Sequence, residues 1–148
     1  MRKCQRGFTL LETLVTAGIA GTLAAVTVPS LSAAVNAHRL NASLRSTVGT
    51  IRVTRSAAIA RNVQGRVTVS GDGKTLTVEV NRLATGWTAI GTPRVLEGGV
   101  SVASVSPANG LVFSTQGTVA NQVTVTLQNA RGDTRQLTIA LLGAVEVS

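Results

Sequence analysis

The sequence predicts an α+β fold in which one long N-terminal α-helix packs on an antiparallel β-sheet head. Three observations predict it. An apolar run extends from Phe8 to Val28, a helix-period apolar stripe continues from there to Ile59, and after Asn62 the texture changes to short β-branched runs parted by glycine turns. The 148 residues divide accordingly into a leader (1–7), an apolar half-helix (8–28), an amphipathic half-helix (29–61) and a β-rich head (62–148). Once the apolar span is set aside, enough chain remains for one ordinary hydrophobic core.

The first seven residues hold Arg2, Lys3 and Arg6, and the 21 residues after Gly7, FTLLETLVTAGIAGTLAAVTV, contain a single ionisable group, Glu12. A helix needs about 20 residues to cross the hydrocarbon core of a bilayer, so this segment is expected to be a membrane span. Basic residues lie before it and none follows until Arg39, which places the amino end in the cytoplasm and the head outside. A secretory signal would have a shorter apolar core, roughly 7–15 residues, with a small-residue cleavage site after it. Here the chain continues past Pro29 as helix instead. Glu12 stands out physically, because a carboxylate in an apolar helix costs about 2.5–3.5 kcal/mol on insertion scales and has to be neutralised or paired.

Beyond Pro29, which removes one backbone donor and is expected to bend the helix, Leu31, Val35, Leu40, Leu44, Val48, Ile51 and Ile59 recur mostly three or four apart. As one helix, residues 8–61 would reach about 80 Å. Gly18, Gly21 and the alanines would let neighbouring helices approach closely. Arg45, Arg52, Arg55 and Arg61 also fall near helical spacing; they form a solvated face or, as a functional alternative, candidate phosphate contacts that read no sequence.

The head opens with a hairpin, Arg66–Ser70 and Thr75–Val80 around Gly71-Asp72-Gly73-Lys74. Further strands are expected at 87–90, 94–96, 100–105, 111–113, 122–128, 134–142 and 144–147. The alternation Val123-Thr124-Val125-Thr126-Leu127 predicts a sheet with one face on the helix and the other wet. Trp87 is expected in the core of that sheet. Asp72 and Asp133 sit in glycine turns, where such side chains bond local backbone.

No catalytic set can be assembled. The one histidine, His38, lies on the amphipathic helix, the one cysteine, Cys4, lies in the leader, and the six acids form no ligand spacing. No enzyme activity, metal or cofactor is therefore expected. Net charge is +8; with Arg2, Lys3 and Arg6 removed it falls to +5, a moderate basic excess that favours anionic partners without selecting one. Phe8, Trp87 and Phe113 are the only aromatics, too few for a base-stacking platform.

The stretch K-x-x-R-G-F-T-L-L-E-T-L-V at residues 3–15 resembles the leader junction of type IV prepilins and type II secretion pseudopilins. That resemblance implies cleavage by prepilin peptidase between Gly7 and Phe8, N-methylation of Phe8, and use of Glu12 in assembly with other pilins or pseudopilins. Thr54–Asn62 (TRSAAIARN), Gly86-Trp87, Phe113–Gly117 (FSTQG) and Gly132–Arg135 (GDTR) are similar to the GspH/FimT-like minor pseudopilins. The function implied is that of a structural subunit, anchored by one pass in inner-membrane lipid with a periplasmic head, and drawn into a type II secretion pseudopilus or a type IV pilus. The alternative is a DNA-binding minor pilin serving DNA uptake in natural transformation. Against it stand two departures: the chain lacks a cysteine pair around the first hairpin, and its carboxyl end reads GAVEVS rather than being rich in arginine.

Overall fold

The computed structural model describes residues 9–82 and 86–148, with the side chains at 26 and 28–30 outside that description. One helix, α1, runs from Leu10 to Arg61 and is continuous through position 29. The chain forms two compact units, one up to Val35 and one from Asn36 to Ser148.

In the second unit, α1 buries Leu40, Leu44, Ile51 and Ala58 together with Ser43, Thr47, Thr50 and Thr54. The apolar stripe therefore accounts for only half of the buried face. Threonine is tolerated there because each hydroxyl donates back to the carbonyl one turn earlier: Thr47 to Ser43 at 2.9 Å, Thr50 to Ser46 at 3.0 Å and Thr54 to Thr50 at 2.8 Å. What faces the core is then the methyl group, with no donor left unpaired. Of the residues expected on the stripe, Leu31, Val35 and Ile59 are exposed. The helix stops at Asn62, which takes a left-handed φ of 51° while the Val63 N–H reaches back to the Ala58 carbonyl at 3.1 Å. This is the six-to-one closure that satisfies carbonyls at a helix end, and Arg61 adds a cation where the helix dipole favours one.

Among the described residues nine strands follow: β1 (Gly65–Val69), β2 (Thr75–Arg82), β3 (Gly86–Ala89), β4 (Arg94–Val95), β5 (Ser101–Ser106), β6 (Leu111–Phe113), β7 (Val123–Gln128), β8 (Thr134–Ile139) and β9 (Val145–Val147). They match the expected strands to within a few residues, but the single expected sheet resolves into two. The first has the order β3-β2-β1-β6 with β4 also on β2, the second β5-β7-β8-β9, and every pairing is antiparallel. The sheets meet where the Val102 N–H donates to the Gly73 carbonyl at 2.8 Å. Gly73 permits this approach: its φ is +70°, and a Cβ there would stand 2.7 Å from the Val102 carbonyl oxygen. As the alternation in β7 predicts, Val123, Val125 and Leu127 are buried between half-buried neighbours, and they pack with Phe113, Leu76, Leu137 and Ile139 against the helix residues.

Trp87 corrects one expectation, for it is half-buried and lies outside the core cluster. Register explains this. Arg66 pairs with Glu79 and Asn81 with Trp87, which puts these four on the face opposite Val80. There the Arg66 guanidinium lies 4.2 Å from the Trp87 ring centroid while its Nε donates to Glu79 Oε2 at 2.6 Å. Trp87 is thus the aromatic platform of an outer-face cation stack.

In the first hairpin turn the Ser70 hydroxyl and then the Lys74 N–H, at 3.0 Å, both donate to Asp72 Oδ1. These bonds hold the Asp72 carboxyl below its ordinary 3.8. A depressed folded pKa contributes stability that is present above 3.8 and lost as pH falls through the folded value. The stability difference between wild type and Asp72→Ala, measured by urea denaturation, is therefore expected to be constant from pH 7 to 5 and to shrink as the solution is made more acidic than pH 3.8.

Candidate assembly site

At the start of α1, Thr9 caps the helix. Its Oγ1 accepts from the Glu12 N–H at 3.3 Å and its carbonyl from the Thr13 N–H at 3.2 Å. Thr9-Leu10-Leu11-Glu12 has the spacing of a capping box, a signal present in the sequence but eclipsed there by the question of the acid's charge. Glu12 therefore occupies the third helical position, where exposed N–H groups and the helix dipole favour a negative charge. Gly7 and Phe8, the residues expected at the cleavage junction, lie outside the described residues, as does the side chain of Pro29.

The surface around Glu12 is apolar and uncovered. Leu10 is 82% exposed and Leu23 63%, and Leu11, Leu14, Val15 and Ile19 lie exposed between them. The intervening threonines do not make this surface polar, because their hydroxyls fold back onto the helix: Thr13 on the Leu10 carbonyl at 2.8 Å, Thr16 on Glu12 at 2.9 Å, Thr22 on Ile19 at 2.8 Å and Thr27 on Leu23 at 2.8 Å. A Cβ added at Gly18 or Gly21 would meet nothing within 4 Å, so these positions leave room for a second helix. Burying six such side chains at about 1.5–3 kcal/mol each is a gain on the order of 10 kcal/mol. The exposed side chains here are apolar but for the threonines and one carboxylate. Among the described residues no helix is long and apolar enough to cross a membrane; the apolar run expected to span, residues 8–28, begins at Phe8, which lies outside the described residues.

The four helix arginines separate into two kinds. Arg45, Arg52 and Arg61 are exposed. Arg55 is half-buried, donating from Nε to the Gly117 carbonyl at 3.0 Å and from Nη1 to the Gly143 carbonyl at 3.4 Å. It ties two glycine turns to the helix and has little left to offer a phosphate. Arg55→Met keeps the apolar stem but strands both carbonyls, and it is expected to cost about 1.5–3 kcal/mol in urea denaturation. Arg52→Met, one turn away on the surface, is expected to change stability by under about 0.5 kcal/mol.

Among the described residues no group of three or more His, Cys, Asp or Glu could hold a metal. His38 is exposed. Asp133 Oδ2 accepts from the Asn129 side-chain amide at 2.8 Å, while Asn129 Oδ1 takes the Arg131 and Asp133 N–H groups at 2.9 and 3.0 Å. Asp72 thus holds backbone directly, as expected, whereas the Asp133 carboxylate bonds the Asn129 side chain and it is Asn129 that holds the turn backbone.

The family model of the prokaryotic N-terminal methylation motif matches residues 2–28. No curated protein matches the chain. Among solved structures, it is similar to the minor pseudopilin EpsH of the type 2 secretion system of Vibrio cholerae, at 16% identity and a TM-score of 0.61, over 74% of this chain and 96% of that one. It is also similar to the type IV minor pilin FimU of Pseudomonas aeruginosa, at 16% identity and a TM-score of 0.63, over 75% of this chain and 89% of that one. At these identities the likeness is one of fold: a long N-terminal helix with antiparallel sheets, the pilin-like architecture.

Proposed function

We propose that this chain is a GspH/FimT-like minor pseudopilin or minor pilin, a structural subunit that is processed at its amino end and drawn into a filament with other pilins or pseudopilins. The observation that carries this reading is the methylation motif at residues 2–28, which takes in the exposed apolar start of α1, where Glu12 is the single charged residue up to position 28. The motif supplies the expectation of a matured amino terminus, the pilin-like fold supplies the class of molecule, and the uncovered helix supplies the surface by which subunits would associate.

In this reading the subunit is first held by one pass in the inner membrane, with the leader in the cytoplasm and the head in the periplasm. Prepilin peptidase cuts between Gly7 and Phe8 and methylates Phe8. Removing the leader takes away Arg2, Lys3 and Arg6 and leaves an α-amine one residue before the capping Thr9. That amine is the cation available to the Glu12 of a neighbouring subunit, and the pair would offset the cost of holding a carboxylate in an apolar setting. Pro29, lacking an N–H inside the helix, gives α1 a point of bending between its membrane half and its amphipathic half.

Mass spectrometry of the protein recovered from envelope fractions tests the processing step. A mature chain beginning at a monomethylated Phe8 is expected. An intact leader, or a new terminus near Ala33 or Ala34, would rule the reading out.

A further inference from the structure

Within the unit from Asn36 onward, a slot of about 430 Å³ opens between α1 and the edge strand β4, lined by Ala42, Ser43 and Ser46 on the helix and by residues 93–97 on the other side. Three independent features converge there.

The first is an unpartnered hydroxyl. Ser43 is 3% exposed, and its Oγ is the one buried side-chain polar atom without a hydrogen-bond partner among the described residues. Its buried neighbours Thr47 and Thr54 both satisfy theirs on the helix backbone. An orphan hydroxyl is costly to keep, and Ser43 is among the residues that line the slot.

The second is an open sheet edge. The Leu96 N–H donates to the Lys74 carbonyl at 2.8 Å and Arg94 pairs with Leu76, so alternate residues of this strand bond inward to β2. Antiparallel alternation then turns the N–H and carbonyl of Val95 to the outer edge. That is a donor and an acceptor spaced for an added strand.

The third is charge. Arg94 shares a face with its cross-strand partner Leu76, which points into the core, so its side chain leaves the sheet on the helix side, and it makes no ion pair among the described residues. The stem of Arg39 crosses Gly98 beside the slot, and Glu97 is the one acid in the lining. The +5 of the chain after Gly7 includes Glu12, so the unit from Asn36 carries +6. An acidic occupant is electrostatically favoured.

We propose that this slot binds an extended acidic peptide segment of a partner protein, which adds a strand to β4 through Val95 and presents a carboxylate to Arg94 and the Ser43 hydroxyl. The Ser43 Oγ donates, the guanidinium donates alongside it, and the backbone bonds fix the register of the incoming strand.

Fluorescence anisotropy on the full-length chain in detergent micelles tests this. The probe is a labelled heptapeptide of alternating threonine and valine about a central glutamate, compared with a central-lysine peptide and with one methylated on the amides of the pairing edge. The glutamate peptide is expected to bind, the lysine peptide about tenfold or more weakly, and the methylated peptide not at all. Arg94→Gln is expected to weaken binding about tenfold. Ser43→Ala is expected to weaken it several-fold while its melting temperature holds or rises, because the substitution removes an unpaired buried hydroxyl. That combination separates a ligand-binding serine from a structural one. Failure of the glutamate peptide to bind overturns the proposal, as does equal binding of the lysine peptide or an unchanged affinity in Arg94→Gln. Binding that survives amide methylation identifies a plain anion site and overturns strand addition.

Discussion

Glu12→Leu is expected to leave the chain in the membrane, cut after Gly7 and methylated, yet to lower its incorporation into filaments about a hundredfold or more. Removing one partner of a desolvated ion pair costs about 3–5 kcal/mol, because the other charge is left buried alone, and each 1.4 kcal/mol is about a factor of ten in an equilibrium. The substitution should not harm insertion, since it removes a cost of about 2.5–3.5 kcal/mol from the apolar helix. Nor should it unfold the helix start, because the Glu12 bond to Thr9 Oγ1 is made by backbone N–H and survives in leucine. Membrane level and filament level are thus expected to part company. Quantifying both fractions by immunoblot, with the amino terminus checked by mass spectrometry, measures this. Equal recovery of wild type and Glu12→Leu in filaments would mean that the carboxylate serves only the helix cap and dipole. Glu12→Gln keeps the shape and loses the charge, so it separates the two roles: it should assemble as poorly as leucine if the pair is ionic.

The same residue illustrates how far the sequence could be read. An acid alone in 21 apolar residues is conspicuous without any coordinates, because membrane insertion makes it expensive. The strand pattern was equally legible wherever one face was buried, as in β7, where a one-residue slip would have exposed Val123, Val125 and Leu127. Long-range geometry was not. Whether the strands make one sheet or two depends on which of them pair over long separations, β1 with β6 and β5 with β7, and such pairing leaves no periodic trace. Arg55 and Arg52 look alike in sequence, three residues apart on a basic stretch; only the turns at Gly117 and Gly143, brought back to the helix by the fold, turn one of them into a clamp. The buried threonines leave no apolar signal in the sequence, for a chemical reason. Thr47 and Thr54 count as polar in any hydropathy pattern, yet a back-bonded hydroxyl presents only its methyl group to the core. The sequence favours Trp87 in the core of the sheet, whereas register against Asn81 sends it outward to carry Arg66.

The core itself yields the largest stability effect. Phe113 is 0% exposed and is the sole phenylalanine of the described residues, at the end of the three-residue strand β6, opposite Gly65 of β1 and bridged to Val119. Around it are Val, Leu and Ile side chains from both sheets and from α1, none of which can fill the volume of a lost ring. Phe113→Ala is therefore expected to destabilise the fold by about 3–5 kcal/mol, transfer cost and cavity together. For a chain of this size that is a fall of roughly 10–20 °C in melting temperature. Phe113→Leu retains most of the apolar volume and should lose about half as much or less. Val53→Ala supplies the contrast, because Val53 is exposed on the same helix that Phe113 packs beneath, and its cost should stay under about 0.5 kcal/mol. Thermal unfolding of the three variants in detergent micelles, followed by circular dichroism, checks the order. If Phe113→Ala melted within a few degrees of Val53→Ala, the joint between β1 and β6 could not be where helix and sheet lock together. Because β6 pairs with β1 through only three residues, it has few backbone bonds to hold it once the ring is gone, so loss of the Phe113 anchor should open the first sheet at that edge before the second.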